Sequence, residues 1–335
     1  MGDRLIGTGH GRLAALCGLV CLTLMATLAS PALALIIDGG DGTGNTTNPV
    51  NTINLNTGQP FGDPGWNNVV QIGNSSGDYA GGVYLGGGWI LTADHVTLGS
   101  TSVTYDGNTY SAVPGSLTQL IGGADLAVFR ISAPPPSGAL SLTIASSTPS
   151  VGTTVMGIGF GRSASATGSW DSNWNPTSNP SSIVYTGFYY PATGGATQTK
   201  RWGADVISST PPSFTDGYGG SMPGIVTTFN SSNPNSMQVD AGDSGGALFA
   251  YVGNSWELAG IIVGYQPFVD QPADTAVLNE TSYSVDLSAY SSQIIAAVPE
   301  PHAVPMLAGL AGMGLLAFWR RRVARRRSAA ALNNA

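Results

Sequence analysis

The run Gly242-Asp243-Ser244-Gly245-Gly246 sets one serine between glycines on both sides. A serine acts as a nucleophile when a tight loop holds its Oγ outward and turns backbone N–H groups toward the place where negative charge develops. Glycines permit that backbone and keep side chains clear of it. The same five residues also suit an ordinary turn in a chain with 47 glycines, so the reading depends on finding a base and an acid to go with the serine. A serine hydroxyl is a weak nucleophile without a neighbouring group that titrates near neutrality. The chain has three histidines, His10, His95 and His302, and only His95 lies in the body of the sequence. It sits in Trp89-Ile90-Leu91-Thr92-Ala93-Asp94-His95-Val96, where an apolar strand gives way to a loop. Asp125 falls in Gly123-Ala124-Asp125-Leu126-Ala127-Val128-Phe129-Arg130. An acid directly before an apolar strand suits a buried carboxylate at the strand's edge, which would fix the tautomer of the base and stabilise its charged form.

The chain order His, Asp, Ser is that of chymotrypsin, not of subtilisin or the α/β-hydrolases. The three blocks together, with Gly82-Val83-Tyr84-Leu85 before the histidine and Leu258-Ala259-Gly260-Ile261-Ile262-Val263 after the serine, resemble the trypsin/chymotrypsin family of serine proteases. The resemblance spans about Val69 to Val263. It implies an all-β fold of two six-stranded antiparallel Greek-key β-barrels with the active site between them. It also implies a serine endopeptidase with His95, Asp125 and Ser244 as its triad, working through an acyl-enzyme on protein or peptide substrates without cofactor or metal. The N–H groups of Gly242 and Ser244 would form the oxyanion hole. By position, Gln238 would lie at the base of the primary specificity pocket, lined also by Val263, Gly264 and Tyr265, whose strand would pair with the substrate backbone. An amide there offers no charge to Arg or Lys, although Asp240 stands close by. A catalytically silent binding protein on the same scaffold, and an esterase with the same triad, are the competing functions.

The chain departs from the family pattern on both sides of the histidine. Asp94 and Val96 replace the family's Ala and Cys. Asp94 would add negative charge beside the base and favour the charged imidazole. In the family an activated N-terminal amine pairs with the aspartate before the nucleophile, here Asp243. Leu35-Ile36-Ile37-Asp38-Gly39-Gly40 faintly resembles the activated terminus, and the two routes are insertion of that amine or support of Asp243 from within the fold. The internal route is the expected one.

The rest of the body agrees with a β fold. Asn68–Ile72, Gly82–Leu85, Trp89–Thr92, Leu126–Ile131, Thr153–Ile158, Ile183–Tyr189, Ala247–Val252 and Leu258–Val263 are short runs rich in Val, Ile, Tyr or Thr, bounded by turn residues. Pro134-Pro135-Pro136, within residues 133–138, reads as a stiff connector between barrels. Residues 35–62 read as an N-terminal arm, its Gly-, Asn-, Thr- and Pro-rich part Asp38–Gly62 as mobile, before a protease domain at 63–297. Ser163–Ser182 reads as a surface insertion, and Ser282–Ile295 as the one helix because apolar residues recur there at helical spacing.

The ends carry sorting signals. Residues 1–34 have Arg4 and Arg12, an apolar run from Leu13 to Leu28, and Ala32-Leu33-Ala34, the pattern of a secretory signal peptide cut by signal peptidase. Residues 298–335 have Pro299-Glu300-Pro301, a short apolar segment at 303–319 that can span a membrane if its flanks snorkel, and six arginines from Arg320 to Arg327. That order resembles the PEP-CTERM tail of Gram-negative bacteria, which implies processing by an exosortase-type enzyme, membrane attachment through the tail, and delivery to the cell envelope or surface. Between the two ends, four basic residues face seventeen acidic ones, a net charge of about −13, which repels nucleic acid. Both cysteines, Cys17 and Cys21, lie in the leader, so the body has neither disulfides nor a thiol nucleophile.

Overall fold

The computed structural model describes residues 35–52, 58–73, 79–97, 101–120, 123–190, 199–218 and 220–298. The leader at 1–34 and the tail with its apolar segment at 303–319 lie outside the described residues. Among the described residues no helix is long and apolar enough to cross a membrane.

Strand β1 is Ile36–Ile37. Seven strands follow in the first half: β2 Val69–Gly73, β3 Tyr79–Gly86, β4 Trp89–Thr92, β5 Ser102–Tyr105, β6 Asn108–Ser111, β7 Thr118–Gln119 and β8 Ala127–Arg130. After the three prolines come β9 Thr154–Gly159, β10 Ala166–Trp170, β11 Tyr185–Tyr189, β12 Arg201–Ser209, β13 Gly224–Thr228 and β14 Met237–Gln238. The last elements are β15 Ala247–Val252, β16 Ser255–Gln266, β17 Thr275–Val277, β18 Thr281–Asp286 and helix α1 Ser291–Ala297. Strands β12-β13-β18-β16-β15-β9 close a six-stranded barrel, and every pairing in it is antiparallel.

The first half forms a curled half-barrel, a seven-stranded sheet in the order β6-β5-β2-β3-β4-β8-β7. Its edges are the short, exposed β6 and β7. The curl brings the chain after β6 back to the end of β8, where Ala112 bridges Ile131 and the Val113 N–H donates to Arg130 O at 2.7 Å. With no cysteine among the described residues, apolar burial and strand pairing in place of disulfides consolidate the core, in which Val83, Ile90, Leu91, Val128 and Phe129 of the first half and Ile158, Ala247, Phe249 and Ile261 of the second are fully buried.

Three expectations change. The helix begins at Ser291, not Ser282. The stretch before it is β18, whose alternate residues Ser282 and Ser284 are buried against the barrel while Thr281 and Tyr283 are less so. Period-2 burial there outweighs the helical spacing read from the apolar residues. Ser163–Ser182 contains β10, paired along its length with β11. Trp170 at the end of β10 is fully buried, and Trp174 stacks on Tyr185 with ring centroids 3.9 Å apart. The N-terminal arm is docked rather than free. Leu35, Ile36 and Ile37 are at most 1% exposed, and β1 pairs with β14, Ile36 opposite Gln238 and Ile37 opposite Met237. Further along, Asn45 O accepts from the Trp202 N–H at 3.1 Å and Thr47 O from Trp202 Nε1 at 2.9 Å.

Candidate active site

The half-barrel and the barrel meet where Gly81 of β3 faces the serine loop. The Gly81 N–H donates to Ser244 O at 2.7 Å, and Gly81 O accepts from Thr92 Oγ1 at 2.8 Å. A side chain on Gly245, whose φ is +80°, would sit 2.1 Å from Gly81 O, so glycine lets the two halves touch. Strand β4 ends at Thr92, and a single 3₁₀ turn from Asp94 to Thr97 follows, closed by Thr97 Oγ1 donating to Asp94 O at 2.7 Å. This turn lifts His95 off the sheet. Asp125, 2% exposed, lies just before β8, which is the neighbour of β4.

One carboxylate oxygen of Asp125 accepts the His95 backbone N–H at 2.8 Å, and the other accepts from His95 Nδ1. Burial pushes the Asp125 carboxyl up, but the bonds from the His95 ring and backbone outweigh it and hold the carboxyl below its ordinary range. With Nδ1 committed as a donor, Nε2 is left as the acceptor. Asp94, the extra acid, turns one oxygen to Gln119 Nε2 at 2.6 Å. Its carboxyl is raised, first by burial and then by the charge of Asp125.

Ser244 is half-buried in the turn between β14 and β15, which Gly242 enters at φ +97°. The N–H groups of Asp243, Gly245 and Gly246 donate to Asp240 O, Ile262 O and Asp243 O at 2.8–3.0 Å. Among the described residues those of Gly242 and Ser244 donate to no protein group, so the serine loop leaves two donors unspent. Asp243 is fully buried. Its carboxylate accepts from Gly161 N at 2.6 Å and Asp240 N at 2.9 Å, with the charge of Arg201 nearby, while burial raises its pKa to about 8. The fold thus supplies Asp243 with partners that belong to the chain's interior.

The structure separates the residues expected from sequence to form the specificity pocket. Gly264 and Tyr265 line a cavity of about 210 Å³ with Phe214, Thr215, Asp216, Gln266 and Tyr283. Val263 is the extra residue of a bulge, between Ile262 opposite Ser284 and Gly264 opposite Tyr283, and is turned into the core at 3% exposure. The bulge re-aims the residues after it toward this cavity. Gln238, 1% exposed, is held in β14 against Ile36, its Nε2 donating to Val239 O at 3.2 Å. Asp240 offers no free charge, because Arg162 binds both its oxygens at 2.7 and 2.9 Å, reaches Asp274 at 2.7 Å and lies 4.1 Å over the Tyr190 ring. Sequence reading did not find Arg162, nor Asp216 and Tyr218, which lie beside His95. Their only local signal is an acid and an aromatic set among glycines in Asp216-Gly217-Tyr218-Gly219-Gly220.

A closed six-stranded barrel and a curled half-barrel, meeting where Gly81 holds the Ser244 loop, define the chymotrypsin-like fold of the serine proteases, and the half-barrel carries the His95–Asp125 pair. The trypsin family model matches residues 56–283, and the chain belongs to that family, a serine-type protease hydrolase. No curated protein matches it. Among solved structures, the active form of the Rv3671c protease from M. tuberculosis is 16% identical, covering 68% of this chain and 79% of that one at a TM-score of 0.43. An inactive form of the Rv3671c protease is 17% identical, covering 70% and 90% at a TM-score of 0.41.

Proposed function

We propose that the chain is an exported serine endopeptidase with His95, Asp125 and Ser244 as its triad. The observation that carries this reading is the pairing of both Asp125 oxygens with His95, and a serine loop that packs on β3 with its Gly242 and Ser244 N–H groups unspent supports it. As Ser244 Oγ attacks the scissile carbonyl carbon, its proton passes to His95 Nε2, and Asp125 stabilises the resulting imidazolium. The carbonyl oxygen becomes an oxyanion held by the N–H groups of Gly242 and Ser244. Collapse of this intermediate breaks the C–N bond, His95 returns the proton to the leaving amine, and an acyl-enzyme remains. Water then attacks the ester with His95 again as base, freeing the acid product and Ser244.

A neutralised Asp240 and an amide at Gln238 give no reason for a strict preference for basic residues. Peptides varied at the residue before the scissile bond test this, and a strict demand for Arg or Lys would refute it. The Pro299-Glu300-Pro301 segment and arginine cluster support tail processing in a Gram-negative envelope. Surface-exposed protein whose intact mass still includes Arg325–Arg327 would exclude it. For catalysis, Ser244→Ala should abolish both casein hydrolysis and fluorophosphonate labelling. A Ser244→Ala protein that still cleaves casein sinks the assignment, and a wild type that cleaves short-chain esters but not casein makes it an esterase.

A further inference from the structure

Between β12 and β13 the chain makes an excursion that belongs to neither barrel wall. Its neck is a reciprocal pair, Phe214 N–H donating to Met222 O at 2.8 Å and Met222 N–H donating to Phe214 O at 2.9 Å. From this loop of the barrel several contacts reach the His95–Asp125 pair, which the half-barrel carries. Met222, 1% exposed, presents its thioether to the Asp125 N–H at 3.5 Å. The Gly220 N–H donates to Gly123 O at 2.6 Å, two residues before Asp125. Asp216 accepts the Tyr218 N–H at 2.9 Å and brings a carboxylate oxygen within 4.8 Å of ligand atoms of both His95 and Asp125. Tyr218 itself lies flat on the His95 imidazole, with ring centroids 4.3 Å apart and planes 14° from parallel.

Burial does not explain where the Tyr218 ring sits, because the residue is 71% exposed. The ring instead covers one face of a side chain whose outer torsion is intrinsically broad. The bond from Nδ1 to Asp125 leaves the ring free to rock about that bond, which swings Nε2 relative to Ser244. A flat neighbour on one face limits the rocking, and an aromatic face also favours the charge the imidazole acquires during the reaction.

We propose that Tyr218 is a positioning residue of the active site, holding the His95 ring in the orientation in which Nε2 takes the proton of Ser244, with Asp216 fixing the turn that delivers it. The proposal rests on the triad reading above. Its test compares the full-length wild type with Tyr218→Ala and Tyr218→Phe, by the rate of fluorophosphonate labelling and by kcat and KM on one fluorogenic peptide. Tyr218→Ala should lower the labelling rate and kcat together by about ten-fold or more, with KM changed by less than about two-fold. Tyr218→Phe, which keeps the stacked ring, should restore both, and the melting temperature should not move, since the residue is exposed.

A Tyr218→Ala protein that labels at the wild-type rate but with raised KM would make the ring part of the substrate wall and overturn the proposal. Faster labelling would make it a lid and overturn it equally. A wild type that does not label overturns the triad reading and this proposal with it, whereas equal labelling of a reactive wild type and Tyr218→Ala overturns the positioning role alone.

Discussion

Gly245 shows how much of the active site depends on the absence of a side chain. At φ +80° any other residue is strained, and its Cβ would lie 2.1 Å from Gly81 O and 2.2 Å from Thr92 Oγ1. None of these atoms can yield cheaply, since Gly81 also holds Ser244 O through its N–H. Gly245→Ala should therefore push the serine loop away from β3, costing about 1–3 kcal/mol from overpacking alone and lowering kcat/KM by more than the stability loss accounts for. Denaturant midpoints and kinetics on the same protein check both parts. Wild-type kcat/KM in Gly245→Ala would mean that the close approach at Gly81 does not position Ser244. This glycine was readable in advance, because its place next to the nucleophile gave it a role. The stack of Tyr218 on His95 was not, because it joins residues more than 120 positions apart and leaves no periodic trace in either neighbourhood.

At the scale of elements, strands were legible where burial and alternation coincide. Ala247–Val252 was read to the residue as β15, and Trp89–Thr92 as β4. Legibility failed where the deciding contact is distant. Nothing near Leu35-Ile36-Ile37 shows that β14 is its partner, nor that its two faces meet different surroundings. Successive side chains of a strand point opposite ways. Accordingly Leu35 and Ile37 pack with Val155, Met237 and Leu248, while Ile36 packs with Phe188, Tyr190 and Phe229. Strand β1 therefore joins the barrel to the sheet formed by β10, β11 and β17. Ile36→Ala should cost about 3 kcal/mol, measured by chemical denaturation. A cost below about 1 kcal/mol, the range of surface changes, would mean that β1 is dispensable.

The whole molecule carries an unusual set of buried titratable groups. Burial raises Asp205 to about 7, Asp243 to about 8 and Glu280 to about 7, and lowers Lys200 to about 8. Lys200 is held by Trp66 O at 2.8 Å and Val69 O at 3.0 Å, under the Trp66 ring. For the three acids the folded pKa lies above the unfolded one, so the folded state keeps protons that the unfolded chain releases. Stability from them is complete below the unfolded carboxylate pKa of about 4 and is lost as pH rises through 7 to 8. For Lys200 the folded pKa lies below the unfolded one. The unfolded chain then binds the extra proton, and stability recovers as pH rises from about 8 toward 10.5. Calorimetry should find the melting temperature higher at pH 5 than at pH 8, with a shallow minimum near pH 8. A melting temperature that rises steadily from pH 5 to pH 8 would contradict the burial of these acids.

Docking of β1 against β14 has a consequence for the order in which the molecule can be assembled. The first described residues of the chain meet partners two hundred positions later, so a polypeptide emerging from its N-terminus must keep three large apolar side chains waiting until Met237 and Gln238 have appeared. The clasp is also held by contacts rather than by its place in the chain. A body that lacks residues 35–47 should be recoverable by a synthetic peptide of that sequence added in trans, which would thread beside β14 as the tethered segment does. Peptide-dependent gain in melting temperature and in peptidase activity, lost when the residue corresponding to Ile36 is alanine, would show that contacts alone seat this strand.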